Sequence, residues 1–408
     1  MSVITLFSGA FCKDDIIIDE VVASTGFKPI TDKVVVAEAA KASGLDEEKV
    51  RRAFTARTSV FNKFTHEKER AIAYLKLALA GILSEENLLI SGYCAQLVPA
   101  TISHVLRVCL IADLEFRTAV AADAEGLTEN EAVRVIRRED EDRMTWVEFL
   151  HNSSDPWDTS LYDLVIPMHK TTTEQASALI QHNVLKEVVS STRSSRKAIA
   201  DFYLSAQIDV ALSREGHQVA VSAEDGKVTL TINKHVLMLS RLEEELKSIV
   251  TKIPGVRSVE TKTGKDYHQT NIYRKHDFKV PAKVLLVDDE REFVQTLSER
   301  LQLRSMGAAV AYDGESALDL VRNDDPEVMI IDLKMPGVDG MEVLKKVNET
   351  RPEIEVIVLT GHGSGVDRER CMELGAFAYL QKPVDIDKLS EILKQAHEKI
   401  RRKKEAQD

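Results

Sequence analysis

Short apolar runs alternate with amphipathic helical patterns through the last third of the chain. In order, the runs read VLLV, AAVAY, VMII, VIVLT and FAYL. Runs this short, bounded by polar loops, are typical of strands buried on both faces. Strands that alternate with helices favour a single parallel sheet with right-handed crossovers. From about residue 283 the pattern therefore predicts βα repeated five times, a doubly wound α/β unit with a five-stranded parallel sheet.

Polar side chains stand at the ends of four of these predicted strands. Asp288 and Asp289 follow the first strand, Asp332 the third, Thr360 the fourth and Lys382 the fifth. Because the carboxyl ends of parallel strands meet at one edge of a sheet, we expect these groups to lie together. Neighbouring carboxylates repel unless a lysine or a divalent cation such as Mg²⁺ neutralises them. Such a site suits phosphoryl transfer to a carboxylate, whereas any single Asp could simply cap a loop.

Four motifs in this region carry a resemblance to a known family. They read VLLVDDE, MIIDLKMPGVDG, VLTGHG and AYLQKPVD, and they occur in this order over roughly the last third of the chain. Together they resemble the receiver domain of bacterial response regulators, a flavodoxin-like fold phosphorylated by a sensor histidine kinase. The alternative is a receiver that has kept only its fold.

The resemblance implies a role for each matching residue. The implied roles are phosphoacceptor for Asp332, Mg²⁺ ligands for Asp288, Asp289, Asp332 and the main-chain carbonyl of Lys334, and phosphate-binding or switch residues for Thr360, Lys382 and Tyr379. The Lys382–Pro383 peptide is expected to be cis, as is typical of the family. Receivers often pair through the helix and strand near Tyr379 and the last helix, so a phosphorylation-dependent homodimer is expected.

Composition narrows the classes of protein to consider. A length of 408 residues predicts two to four domains, and a net charge of -12 argues against nucleic acid as the main partner. The four cysteines are scattered, which fits a reducing cytoplasm rather than a disulfide framework or a zinc site. No secretory signal and no apolar stretch long enough for a membrane span occur, so we expect a cytoplasmic protein. No helix-turn-helix follows the receiver-like region, so no direct DNA binding is expected.

Two polar stretches, 190–197 and 265–279, are predicted to be linkers or exposed connections, and they bound a compact middle segment. This segment shows a helical pattern, then two alternating runs across a turn at Asp225-Gly226, then a second helix. The runs predict a β-hairpin. Residues 198–264 resemble a BON domain, a small α/β module whose members bind lipids, small ligands or proteins. Nothing in the segment indicates catalysis.

The chain begins with a predicted strand, VITLFS, followed by a loop that contains Gly9 and Lys13. A phosphate-binding loop needs glycines whose N–H groups face the anion, a lysine for the phosphates and a Ser or Thr for Mg²⁺. Here Asp14 stands where the Ser or Thr would be, and it would repel a phosphate. On the loop alone, a strand–helix turn with a surface lysine is the simpler interpretation.

Longer stretches resemble the cytidylate-kinase-like branch of the nucleoside monophosphate kinases over residues 1–185. They are FKPITDK, LLISGY, HVLRVCLIA, EAVRVIRREDEDR and YDLVIP. The resemblance implies lid arginines at Arg138 and Arg143, with Asp140, although such a charge run is usually a solvated helix face. Because the loop lacks several residues of the family, we expect a P-loop-kinase-like fold with impaired or lost catalysis, used for nucleotide sensing or protein contacts.

Three functions remain open from the sequence. The first is a phosphorelay response regulator in which domains 1–185 and 198–264 respond to phosphorylation of a receiver at 282–408. The second is a receiver-regulated nucleoside monophosphate kinase that uses ATP. The third is a scaffold whose three modules bind partners without doing chemistry.

Overall fold

The structure, a computed structural model, describes residues 2–236, 238–265, 267, 280–281, 283–361 and 364–406. It divides into two compact units, one of residues 1–58 and 68–273 and the other of residues 59–67 and 274–408. Within the described residues, no helix combines the length and the apolar character that crossing a bilayer requires.

The strands and helices are numbered in chain order. The strands are β1 Val3–Ser8, β2 Lys28–Thr31, β3 Leu88–Ser91, β4 Val105–Ile111, β5 Leu164–Pro167, β6 Ala220–Glu224, β7 Lys227–Ile232, β8 Ser258–Thr263, β9 Val284–Val287, β10 Ala308–Ala311, β11 Val328–Ile331, β12 Glu355–Thr360 and β13 Ala378–Gln381. The helices are α1 Asp14–Thr25, α2 Asp32–Ser43, α3 Glu47–Arg51, α4 Asn62–Thr65, α5 Glu67–Ile82, α6 Leu114–Glu125, α7 Glu129–His151, α8 Thr173–Val184, α9 Arg193–Arg214, α10 Leu239–Val250, α11 Arg291–Gln302, α12 Gly314–Asp324, α13 Gly340–Thr350, α14 Gly365–Glu373 and α15 Ile386–Glu405.

The first unit is built on a parallel sheet of five strands in the order β2-β3-β1-β4-β5. All six residues of the central strand β1 are buried. Ile4 and Leu6 pack on one face with α1 and α8, and Val3 belongs to a larger apolar cluster that includes α5. This confirms the α/β character predicted for the N-terminal segment.

Helix α9 belongs to two apolar cores of the first unit. Phe202 and Val210 lie in the cluster that contains α5, whereas Leu204 and Ile208 lie in the cluster beneath the small sheet β6-β7-β8. The linker predicted at 190–197 is therefore wrong for residues 193–197, which form the first turn of α9. The helix begins there because the Thr192 side chain caps it.

The middle module consists of an antiparallel hairpin, β6 and β7, with β8 parallel to β7. The predicted turn is confirmed, with Asp225 at φ 52° and Gly226 at φ 76°. Positive φ at both positions suits a two-residue hairpin turn. A side chain at residue 226 would also collide with the Gly255 carbonyl, so the position needs glycine. Most of the predicted linker 265–279 lies outside the described residues.

The second unit contains the predicted doubly wound sheet of five parallel strands, in the order β10-β9-β11-β12-β13. Strands β9, β11 and β12 are buried along their whole length, and helices cover both faces. This confirms the fold predicted from the alternating apolar runs. The order places β9 and β11 side by side at the centre, which brings Asp288 close to Asp332.

Residues 59–67 belong to the second unit although they lie early in the sequence. Phe61 is fully buried in the apolar cluster that also contains Leu285 and Val343. The Val60 main-chain N–H donates to the Asp324 carboxylate at 3.1 Å. The Lys283 ammonium, on a side chain only 7% exposed, donates to Glu67 at 2.7 Å. This segment therefore contributes both apolar and charged contacts to the unit.

Candidate functional site

The acidic cluster of the second unit forms where two central strands end. Val287, the last residue of β9, pairs with Ile331, the last residue of β11. Asp288 and Asp332 therefore directly follow the paired ends of two adjacent strands. The Asp332 N–H donates to the Val287 carbonyl at 3.0 Å, which extends the ladder to the site. One carboxylate oxygen from each of Asp288, Asp289 and Asp332 lies within 4.8 Å of the others. The structure thus brings together the three carboxylates that the sequence predicted.

Lys382 enters this cluster from the last strand. Its ammonium lies 2.7 Å from Asp288 Oδ2 and 3.6 Å from Asp332 Oδ2. The Lys382 N–H donates to the Thr360 carbonyl at 3.0 Å, and the peptide to Pro383 is cis. The side chains of Lys382, Asp288 and Asp332 are 12%, 4% and 8% exposed. Charges this deeply buried need the pairing that they make here.

Burial and ion pairing shift the pKa values of Asp288 and Lys382 in opposite directions. Burial raises the pKa of Asp288, and the nearby Asp332 charge raises it further, while Lys382 opposes both. Burial alone would lower the pKa of Lys382, but hydrogen bonds to Asp288 and Glu290 raise it overall. The protein therefore holds a charged lysine against carboxylates that repel one another.

The donor set fits a hard divalent cation. Three carboxylates at one sheet edge offer the oxygen ligands that Mg²⁺ prefers, and a cation would replace the neutralisation that Lys382 now supplies to Asp288. The main-chain carbonyl of Lys334, two residues after Asp332, is also expected to be a Mg²⁺ ligand. This role stays a prediction.

Glu290 is a residue that the sequence reasoning missed at this site. It accepts a hydrogen bond from Lys382 at 2.8 Å, in addition to the ion pair of that lysine with Asp288. Its position directly after the Asp288-Asp289 pair was the available signal. Because the Glu290 side chain is 65% exposed, its share in holding Lys382 is smaller than that of Asp288.

The two predicted switch residues lie on neighbouring strands. Thr360 ends β12 and is 1% exposed, and Tyr379 lies on β13 paired with Val358. The Tyr379 hydroxyl is buried and has no hydrogen-bond partner among the described residues. Burial raises the pKa of this hydroxyl, so it stays protonated and able to donate.

Two arginine side chains donate hydrogen bonds to main-chain carbonyls at the end of β1 and in the loop that follows it. Arg143, 12% exposed, donates from Nε to the Ser8 carbonyl at 2.7 Å and from Nη1 to Glu139 at 3.0 Å. Arg138 is 71% exposed and pairs only loosely with Glu139. The structure thus brings Arg143 to the loop, but not Arg138.

The other loop residues are also engaged. The Gly9 N–H donates to the Leu110 carbonyl at 2.9 Å and is not available to an anion. Lys13, at φ 58°, places its ammonium 5.5 Å from the centre of the Phe116 ring. Burial raises the pKa of Asp14, while a hydrogen bond with the Ser8 side chain opposes the shift.

The sequence reasoning missed Arg117. Its Nε donates to the Ala10 carbonyl at 2.7 Å, and its guanidinium makes two hydrogen bonds to Asp140 at 2.7 and 2.9 Å. Asp140, predicted to accompany the lid arginines, therefore pairs with Arg117. No local pattern could reveal this contact, because it joins α6, α7 and the loop that follows β1.

Two family models match separate parts of the chain. Residues 284–394 match the response regulator receiver domain, and residues 3–170 match the cytidylate kinase-like family. The C-terminal segment is therefore a response regulator receiver domain, and the N-terminal segment is related to the cytidylate-kinase-like family. The BON-like assignment of the middle module stays a prediction.

Two curated relatives each match a little over a quarter of this chain. The transcriptional regulatory protein CpxR of Escherichia coli K12 is 40% identical over 119 residues, which is 28% of this chain and 50% of CpxR. The response regulator MprA of Mycolicibacterium vanbaalenii is 34% identical over 110 residues, 27% of this chain and 48% of MprA. The chain thus spans about half the length of these relatives.

A solved receiver structure matches a similar share of this chain. The response regulator receiver domain protein from Clostridium thermocellum is 35% identical, covers 30% of this chain and 96% of its own, and has a TM-score of 0.28. The receiver fold of this chain is established by its own strand order and by the family model.

Proposed function

We propose that the chain is a phosphorelay response regulator that receives a phosphoryl group on Asp332 from a partner sensor histidine kinase. The observation that carries this proposal is the group of three carboxylates within 4.8 Å, with Lys382 beside Asp288 and Asp332. Receivers phosphorylate themselves with Mg²⁺, and the relatives CpxR and MprA are named as regulators. We expect the protein to act in the cytoplasm.

The residues of this chain have separate tasks in that reaction. Asp332 Oδ1 accepts a hydrogen bond from the Leu333 N–H at 2.8 Å. This bond orients the carboxylate so that Oδ2 lies 3.6 Å from the Lys382 ammonium. Oδ2 is therefore the oxygen that attacks phosphorus, while the donor's leaving group departs with the electron pair of the broken bond. Lys382 and the Thr360 hydroxyl hold the oxygens of the transferred group. Bound Mg²⁺, held by Asp288, Asp289, Asp332 and the Lys334 carbonyl, would neutralise phosphate charge.

Lys382 must change partners during phosphorylation. It now donates to Asp288 at 2.7 Å, and a phosphoryl group on Asp332 would compete for the same ammonium. The unpaired Tyr379 hydroxyl favours a coupled change, because a buried donor without a partner gains from any rearrangement that pairs it. We propose that Thr360 and Tyr379 move together and alter the receiver surface.

We propose that the N-terminal domain does not turn over nucleotide. Arg117 and Arg143 are occupied by main-chain carbonyls of the loop and by acidic side chains, which leaves them poorly placed to clamp phosphates. We propose that this domain and the BON-like module respond to the receiver by binding partners. A phosphorylation-dependent homodimer through the receiver is part of the same proposal.

The decisive experiment is phosphorylation of the full chain with Mg²⁺ and acetyl phosphate, followed by intact-mass analysis. Wild type should gain one phosphoryl group, stable in acid and labile in base, and Asp332→Asn should gain none. Asp319→Asn, a change on the exposed surface of α12, is the matched control and should behave as wild type. Wild-type protein that is folded yet takes up no phosphate would contradict the proposal.

A second experiment addresses nucleotide chemistry. We expect neither ATP nor CMP to be turned over, and Lys13→Ala to leave this result unchanged. Turnover of CMP to CDP that Lys13→Ala abolishes would instead establish the kinase alternative.

A further inference from the structure

The first unit contains a cavity of about 310 Å³ whose lining includes none of residues 9–14, the loop after β1. It lies beside the middle of β1 and β4 and the residues just before β5, whereas the loop follows the carboxyl end of β1. Its walls are both apolar and polar, including Phe7, Val98, Arg107, His151 and Tyr162. A volume near 300 Å³ is the lower end of the range for small-molecule sites, which limits an occupant to one ring or a short chain.

Arg107 lies in the wall of this cavity and makes no ion pair with any carboxylate that the structure describes. It lies beside Thr5 in the sheet and donates from Nη2 to the Pro99 carbonyl at 2.8 Å. Among the described residues, no carboxylate oxygen lies within 4.0 Å of its guanidinium. Asp163 accepts the Arg107 main-chain N–H at 2.8 Å instead. Burial lowers the pKa of Arg107, as expected for a charge that is desolvated without close compensation.

Polar residues on another wall are fixed by their own hydrogen bonds. Gln96 donates to the Tyr162 hydroxyl at 2.9 Å, and that hydroxyl donates to the Pro156 carbonyl at 2.6 Å. His151 Nε2 lies 3.2 Å from Gln96 Oε1. Burial lowers the pKa of His151, and the Arg107 charge adds to this. The cavity wall is therefore built before any ligand arrives, which lowers the entropic cost of binding.

We propose that this cavity binds a small organic monocarboxylate, with the carboxylate on the Arg107 guanidinium and the apolar body against Phe7 and Val98. The planar guanidinium matches a carboxylate in a two-hydrogen-bond geometry. A dianion is disfavoured, because a single arginine supplies the positive charge and Asp163 stands nearby. The proposal is independent of the receiver function, because every residue that it uses lies in the first unit.

Benzoate and hexanoate are suitable probes for the full-length protein, with benzamide as the neutral counterpart of benzoate and inorganic phosphate as the dianion. Trp157 contacts Phe7, with ring centres 5.9 Å apart, so tryptophan fluorescence and calorimetry can both report binding. We expect at least one carboxylate to bind and both benzamide and phosphate to bind at least tenfold more weakly. Arg107→Gln should weaken the carboxylate about tenfold to a hundredfold.

Arg134→Gln is the matched control, since Arg134 is exposed on α7 and donates to the Asn130 carbonyl of its own helix. It should bind as wild type does. Arg107→Lys keeps the charge and should retain part of the affinity, which separates charge loss from misfolding if Arg107→Gln is unstable. Equal carboxylate binding by Arg107→Gln, tighter binding of phosphate or benzamide, or no binding of either carboxylate at about 10 mM would overturn the proposal.

Discussion

Removing the Lys382 charge gives a direct measure of the electrostatics of the receiver site. Lys382→Met keeps an apolar stem of similar size, which can still pack on the Phe293 ring that the ammonium now faces at 4.4 Å. The change leaves Asp288 and Asp332 buried without their cation. In Mg²⁺-free buffer near neutral pH, we expect the second unit to lose stability.

The magnitude follows from burial and distance. The Asp288 and Lys382 side chains are 4% and 12% exposed and 2.7 Å apart, so removing one partner should cost about 3–5 kcal/mol. The bond to the exposed Glu290 adds at most about 1 kcal/mol. A loss of 3–5 kcal/mol corresponds to a fall of roughly 10²- to 4 × 10³-fold in the protection of strand amides.

Hydrogen exchange with peptide resolution is the suitable assay. The chain has two tryptophans, Trp146 and Trp157, and both lie in the first unit, so their fluorescence does not report directly on the receiver. Peptides from β9 and β11 should lose protection in Lys382→Met, while peptides from β1 serve as the internal comparison. Added Mg²⁺ should restore most of the protection, because it neutralises the same carboxylates.

Two results would refute this reasoning. The first is unchanged protection of β9 and β11 in Mg²⁺-free Lys382→Met, which would mean that the carboxylates are neutralised by another route. The second is a Mg²⁺ effect no larger in the variant than in wild type. Lys345→Met, on an exposed side chain of α13, is the matched control and should change neither quantity.

Three further predictions concern single contacts. Phe61→Ala should destabilise the second unit by about 3–5 kcal/mol, because Phe61 is fully buried, and unchanged exchange of β11 would contradict this. Asp140→Asn should destabilise the first unit by about 3 kcal/mol, because it removes the carboxylate that neutralises the buried Arg117. Urea unfolding monitored by tryptophan fluorescence measures this, and Asp123→Asn, a change at an exposed position, should have no such effect. Burial raises the pKa of Asp288, so Mg²⁺-free stability should fall as pH rises from the ordinary carboxyl range through that raised pKa. Thermal unfolding across this range should show the fall in wild type and a weaker one in Asp288→Asn.

The receiver fold and its acidic cluster could be predicted from the sequence because both follow from local order along the chain. Apolar runs of strand length identify buried parallel strands, and the residue after each strand is known once the strand is known. Asp288 and Asp332 therefore needed only the strand order to become neighbours. The hairpin turn at Asp225 and Gly226 was predictable for the same reason, since two adjacent residues specify it.

Contacts between distant segments required the tertiary structure. Arg117 pairs with Asp140 across two helices, and Phe61 is buried in the second unit against residues that lie far from it in the sequence. Likewise, only the folded chain shows that Arg107 has no ion-pair partner among the residues that the structure describes. The charge run around Asp140 looks the same in sequence whether it faces substrate, solvent or another helix. Periodicity states which side of an element is buried, whereas the choice of partner depends on how whole elements pack, and only the folded chain decides that.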